Sequence, residues 1–163
     1  MGRITKAQII RTIQELMSSI MKQSNEESVI ELLQKTPLWS ALSKQDLKLV
    51  AKLSHERKFE IGKAIVTKGE AGVGFYLILE GAVEVRSGGK SLSKLGPGQF
   101  FGEMSIIDNQ PRSADVIAIE NSRVLILSAW SFKTLISDNP KIALKMMQEF
   151  VRRLRESDKS LSD

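Results

Sequence analysis

Ten of the chain's eleven glycines fall between residues 62 and 102, and this spacing limits the fold more than any other feature. No long helix survives glycines at such intervals, because each one loses more backbone freedom on folding than any other residue. The stretches between and just beyond them are short and rich in Val, Ile, Leu and Phe. Residues 64–68, 75–79, 82–86, 114–119 and 123–127 are predicted strands. The Gly88-Gly89 pair between two such runs suits a tight hairpin turn. Many short strands joined by glycine turns imply a sandwich or barrel.

Helical patterns flank this region. Ile9, Ile10, Ile13, Leu16, Met17, Ile20 and Met21 recur at helical spacing over residues 4–22. Their stripe suits either packing on the chain's own domain or a surface for a partner or second copy. Ser24 or Asn25 is the expected cap of a second helix, carrying Val29, Leu32 and Leu33 to about residue 34. Pro37 then breaks the pattern. Ser43 to Asp46 reads as a capped start for a helix ending near Leu53. After the strands, residues 130–137 form one predicted helix. Asp138 or Asn139, with Pro140 behind it, opens another to about Ser157. Its apolar side, with Ala143, Met147, Phe150 and Leu154, suits the barrel mouth, a partner helix, or both. The expected divisions are a helical extension at 1–36, a domain at 37–158 and a disordered tail beyond, with the polar run starting at Asp158.

At 163 residues, 42% hydrophobic and 26% charged, the chain has the make-up of a globular domain with a core. It has no cysteine, so it has no disulfide framework or thiolate chemistry. No apolar run reaches the ~18 residues that span a bilayer, and the N-terminus lacks an apolar signal core. Lys6 stands where a myristoylation signal wants Ser or Thr. A cytoplasmic location is expected. The net charge of +5 is spread among Glu and Asp and reads as a solvated surface.

Residues 101–114, Phe-Gly-Glu-Met-Ser-Ile-Ile-Asp-Asn-Gln-Pro-Arg-Ser-Ala, carry the candidate chemistry. A short helical turn is predicted from Glu103 to Ile107. Its first N–H groups lack internal partners and lie at the positive end of the dipole. Gly102, Met104 and Ser105 are expected to offer backbone N–H groups to an anion. Arg112 adds a two-pronged cation suited to phosphate oxygens. Glu103 does not suit a phosphate, but it can accept a hydrogen bond from a sugar hydroxyl. Taken alone, Arg112 also suits a structural ion pair, and Glu103 a helix N-terminus.

This stretch resembles the phosphate-binding cassette of the cyclic nucleotide-binding domain family. The match lies at Phe101, Gly102, Glu103, Ile106, Arg112, Ser113 and Ala114. The glycine-turn run at 65–85 is similar to the strands preceding that cassette, and the likeness extends from about Pro37 to Ser157. The resemblance implies an α+β, mainly β fold: an eight-stranded antiparallel jelly roll between N-terminal helices and a C-terminal helical lid. It implies that Arg112 clasps the exocyclic oxygens of a cyclic phosphate and that Glu103 takes the ribose 2′-hydroxyl. Ser113 would donate to the phosphate, with Phe101 and Ala114 flanking. In the catabolite-activator branch of the family, the positions matching Arg153 and Ser157 lie near the ribose glutamate and the adenine amino group. Arg153 alone suits a helix-surface charge equally well.

The expected ligand is cyclic AMP, with cyclic GMP as the alternative, and no cofactor or metal is expected. His55, the single histidine, is placed at a helix end as a cap or surface group. Gly69, Gly72 and Gly74 precede no Gly-Lys-Ser/Thr and read as turn glycines. No activated nucleophile is in view, so the expected role is non-catalytic. The chain is expected to sense a nucleotide and signal through a protein partner or a homodimer formed by a terminal helix. No direct DNA binding is expected, since no helix-turn-helix follows the last helix within the sequence. The alternatives are an interaction module without ligand, or the sensory part of a longer regulator or channel.

Overall fold

The computed structural model describes residues 5–40 and 42–162. The strands form two four-stranded antiparallel sheets. One has β1 (Ser54–Phe59), β8 (Ser122–Ser128), β3 (Gly74–Glu80) and β6 (Phe100–Phe101) in spatial order. The other has β2 (Ala64–Val66), β7 (Asp115–Ala118), β4 (Val83–Ser87) and β5 (Lys90–Leu95). Helices α1 (Lys6–Lys35) and α2 (Lys44–Leu53) precede the strands, and α3 (Glu103–Asp108) sits between β6 and β7. Helices α4 (Ala129–Asp138) and α5 (Pro140–Ser162) close the chain. The α+β architecture and the eight antiparallel strands agree with expectation.

The inner strands of the first sheet, β3 and β8, are buried on both faces, which explains their near-continuous apolar runs. Phe75, Leu77 and Leu79 alternate with Tyr76 and Ile78 along β3. The first set packs under the helices with Trp39, Leu47, Phe132, Ile142 and Met146. The second set meets Val66, Val83, Phe101 and Val116 between the sheets. Phe75 anchors the helical side. Its ring stacks on Phe132 with centroids 4.5 Å apart and meets Phe100 at 5.4 Å and Trp39 at 5.8 Å.

Several local expectations change. The two helices predicted around Ser24 and Asn25 are one helix, α1. Nothing between Lys6 and Lys35 is Gly or Pro, and Ser28 bonds back to the Asn25 carbonyl at 2.9 Å, so a cap residue there does not stop the helix. The helix ends at Thr36, whose hydroxyl donates to the Leu33 carbonyl just before Pro37. The expected tail is helical as far as Ser162. Ser160 and Ser162 donate to the carbonyls of Ser157 and Asp158 at 2.7 and 2.9 Å. Asn139 closes α4, its amide donating to the Leu135 carbonyl, and does not cap α5 through its side chain. His55 is an exposed residue of β1, just past the helix end. The apolar stripe at the start of α1 is uncovered.

Strand β1 escapes the sequence pattern because Ser-His-Glu-Arg-Lys-Phe is an edge strand with little apolar alternation. Its ladder to β8 and the Arg123 guanidinium hold it. Arg123 reaches Glu56 of β1 at 3.2 Å and Glu80 of β3 at 2.8 Å. Gly88 and Gly89 both have positive φ, 58° and 76°, and turn β4 into β5 as the sequence suggests.

Phe75→Ala is expected to lower the unfolding free energy by about 3–5 kcal/mol, the usual loss for emptying a large aromatic site in a core. Trp130→Ala, at a residue 73% exposed, should change it by less than about 0.5 kcal/mol. Urea denaturation of both variants checks the contrast.

Candidate functional site

The site forms where β6 ends. Gly102 turns the chain with φ 90° and ψ −5°, a conformation that favours glycine, and α3 starts at once. A Cβ on Gly102 would lie 2.8 Å from the Gly74 carbonyl oxygen and 2.9 Å from Arg112 Nη1. Glycine is therefore needed for backbone shape and for room beside Arg112, as well as for access to the main chain. Gly102 as the cap supplies no side-chain bond to the first turn of α3, where the Glu103 N–H interacts with its own carboxylate.

Arg112 is 5% exposed. Its Nη1 donates to the Gly102 carbonyl at 2.6 Å and its Nη2 to the Gly74 carbonyl at 2.8 Å. The guanidinium lies over the Tyr76 ring, 5.6 Å from the centroid. Its backbone is clasped by the 69–74 loop: Gly69 donates to its carbonyl at 2.9 Å, and its own N–H donates to the Glu70 carbonyl at 2.8 Å. Of the upstream glycines read as turn residues, Gly69 is one, with φ 87°, whereas Gly72 lies in the loop against α3 and Gly74 opens strand β3. A Cβ on Gly72 would overlap the Cβ of Ser105. Among the described residues no carboxylate forms an ion pair with Arg112. Of five guanidinium N–H groups, two are used by these carbonyls.

Glu103 is 2% exposed, and its Oε2 is buried without a hydrogen-bond partner. Its Oε1 lies 3.6 Å from Arg153 Nη1. Burial raises its pKa above the ordinary 4.5. Its own N–H, Arg153 and Arg112 pull the other way without cancelling that effect. Arg153 comes from the middle of α5. Its Nη2 donates to the Phe100 carbonyl at 2.9 Å, its Nε donates to Glu149 at 3.0 Å, and its guanidinium sits 4.7 Å from the Phe100 ring centroid. It fastens the last helix to the strand that leads into the site.

These groups line one cavity of about 590 Å³. All ten residues singled out from the sequence border it: Phe101, Gly102, Glu103, Met104, Ser105, Arg112, Ser113, Ala114, Arg153 and Ser157. Val66, Val85 and Val116 of the second sheet add an apolar wall, and Arg152, Glu156 and Ser160 of α5 add polar groups. The sequence reading missed both sets. The valines carry the period-two pattern that could have found them, whereas the α5 groups carried no local signal. A second hollow of about 660 Å³, between the end of α1, β3 and α5, contains no buried charged residue. Two buried charges without full compensation, an apolar wall and the first turn of α3 suit a small ligand with an anionic group, a hydroxyl and an apolar part.

The family profile described as cyclic nucleotide-binding domain matches residues 56–139. The chain belongs to the cyclic nucleotide-binding domain family. Its similarity to the cyclic AMP receptor protein of Thermus thermophilus is 34% identity over 131 residues, covering 77% of this chain and 61% of that protein. A putative potassium channel protein of Rhodopseudomonas palustris is 34% identical over 117 residues, covering 70% of this chain and 28% of the channel. The crystal structure of the Thermus thermophilus catabolite activator protein superposes with a TM-score of 0.68 at 34% identity, over 78% of this chain and 62% of that one. This cyclic nucleotide-binding domain thus spans at most about three-fifths of these curated relatives, 61% and 28%. Among the described residues no helix is long and apolar enough to cross a membrane.

The raised pKa of Glu103 has a direction that can be measured without ligand. Below the unfolded-state value both states hold the proton. As pH rises through 4.5 towards the folded value, the unfolded chain loses its proton first and stability falls. Glu84 and Glu149, whose pKa values are lowered by hydrogen bonds, work in the opposite sense. The difference between parent and Glu103→Gln isolates Glu103. Relative to the parent, Glu103→Gln should gain stability as pH rises from 4 to 7, read from urea midpoints. Parallel curves would contradict the desolvated carboxylate.

Proposed function

We propose that the domain is a non-catalytic cytoplasmic sensor that binds one cyclic nucleotide, cyclic AMP or cyclic GMP, in the 590 Å³ cavity. The observation that carries this reading is the pair of buried charges on its wall. Arg112 has free donors but no carboxylate, and Glu103 has an orphaned oxygen. A cyclic phosphate supplies the anion for Arg112 and the first turn of α3, and Ser113 adds a donor. The ribose 2′-hydroxyl supplies the donor that Glu103 Oε2 lacks. The apolar wall of Val66, Val85 and Val116 accommodates the less polar parts of the nucleotide. The names of similar proteins support the class of ligand: a cyclic AMP receptor protein and cyclic nucleotide-gated potassium channels.

The response is a population shift of the last helix. Arg153 already joins α5 to Phe100 and to Glu103. A nucleotide held by Glu103 of α3 whose base reaches Ser157 of α5 adds, at Ser157, a contact available only when α5 is docked. The bound state therefore favours the closed lid, and the change in α5 is what a partner reads.

Calorimetric titration of nucleotide-free protein with cyclic AMP and cyclic GMP tests the reading. One site per chain is expected, and the tighter ligand names the signal. Arg112→Ala should weaken binding by about 2–5 kcal/mol, roughly thirty-fold to several thousand-fold. Because Arg112 also braces the loop, circular dichroism of the variant must first show an intact fold. A folded variant that loses less than about threefold, under 1 kcal/mol, would remove Arg112 as the phosphate clamp.

A further inference from the structure

We infer that the N-terminal half of α1 is a self-association surface that packs against α1 of a second copy of this chain. Ile9, Ile13, Leu16 and Ile20 follow a four-three-four spacing, with Ile10, Met17 and Met21 alongside. All seven are between 48% and 70% exposed. At 3.6 residues per turn they occupy an arc of about 140° on one side of the helix.

The second half of the same helix uses the opposite side. Val29 and Leu33 are buried in the core at 4% and 0% exposure, roughly half a turn round from Ile13. Followed back towards the N-terminus, their line runs through Lys22, Ser18, Glu15 and Arg11, and Arg11 and Glu15 pair with each other at 3.0 Å. The apolar stripe therefore points away from the domain that α1 is anchored to. With no Gly or Pro between Lys6 and Lys35, nothing lets the helix turn that stripe inward without breaking. What covers it comes from outside the chain.

Charge and area favour a second copy. A helix that lies on an anionic membrane carries Lys and Arg along its polar face, often with Trp or Phe on the other. Residues 6–22 contain Lys6, Arg11 and Lys22 against Glu15, with Arg11 paired to Glu15, and no aromatic residue, so no continuous basic row lines the polar face and no ring anchors the apolar one. The shoulders of the stripe are Thr12, Gln14, Ser19 and Gln23, all neutral; the charge on the stripe's own side is Lys6 at the helix start, and an antiparallel pairing of two copies keeps these two lysines at opposite ends. Seven side chains about half exposed offer roughly 700 Å², close to the ~800 Å² that each partner of a standard interface buries. An apolar seam widened beyond two positions per heptad is the pattern of helices packed in a bundle.

The inference does not rest on the nucleotide reading. Sedimentation equilibrium of the full chain from roughly 1 to 100 µM, a range suited to an interface of this size, tests it. The parent should self-associate, with and without cyclic AMP. Ile13→Glu with Ile20→Glu, both exposed and replaced by a good helix former, should be monomeric and should bind cyclic AMP as the parent does. Leu154→Glu, on the exposed face of α5, should still associate. A monomeric parent, an α1 variant that still associates, or an α5 variant that alone dissociates would overturn the proposal. So would binding of the parent to phosphatidylserine vesicles that the α1 substitutions abolish.

Discussion

A permanently charged side chain buried without a carboxylate holds this site together. Taking Arg112 out of water is affordable only because two carbonyls, the Tyr76 ring and a clasped backbone surround it. Those carbonyls belong to Gly74 and Gly102, at the start of β3 and the end of β6. One guanidinium thus fixes the spacing between the glycine loop, the central strand and the short helix α3. Glu103 is the complementary cost. It is desolvated, has an oxygen with no donor, and is only partly compensated by its own N–H, by Arg112 and by a 3.6 Å approach from Arg153. The two groups leave the wall of the cavity electrostatically unfinished, which is a physical reason for it to prefer a ligand with an anion and a hydroxyl.

The rest of the fold keeps these groups in place. Because β3 is covered on both faces, it cannot shift its register without moving Phe75, Leu77 and Leu79 out of one core and Tyr76 and Ile78 out of the other. That rigidity sets the Gly74 carbonyl. The last helix is more loosely held. Ile142 and Met146 are buried, but beyond Val151 the helix has little apolar packing and depends on Arg153. An element with few apolar contacts and one polar tether is the part of such a domain whose equilibrium a ligand can move.

Much of this was legible in the sequence where a residue type has one physical reason to be present. Gly102 and the Gly88-Gly89 pair occupy positive φ, and the alternation within β3 and β8 marks a sheet. The cassette residues border one cavity because they are close in sequence. Features decided at long range were not legible. Edge strand β1 is held by a ladder and by Arg123, neither visible in Ser-His-Glu-Arg-Lys-Phe. A cap signal at Ser24 and Asn25 did not break α1, since a cap permits a helix start without requiring one. The bond from Arg112 to Gly74 spans 38 residues, and no local pattern announces it.

The account stands or falls on whether the orphaned oxygen of Glu103 takes the sugar hydroxyl. Calorimetric titration of parent and Glu103→Gln with cyclic AMP and its 2′-deoxy analogue measures that interaction as a coupling between one protein group and one ligand group. The account predicts that losing the hydroxyl weakens binding strongly in the parent and far less in Glu103→Gln. An equal loss in both proteins would contradict it.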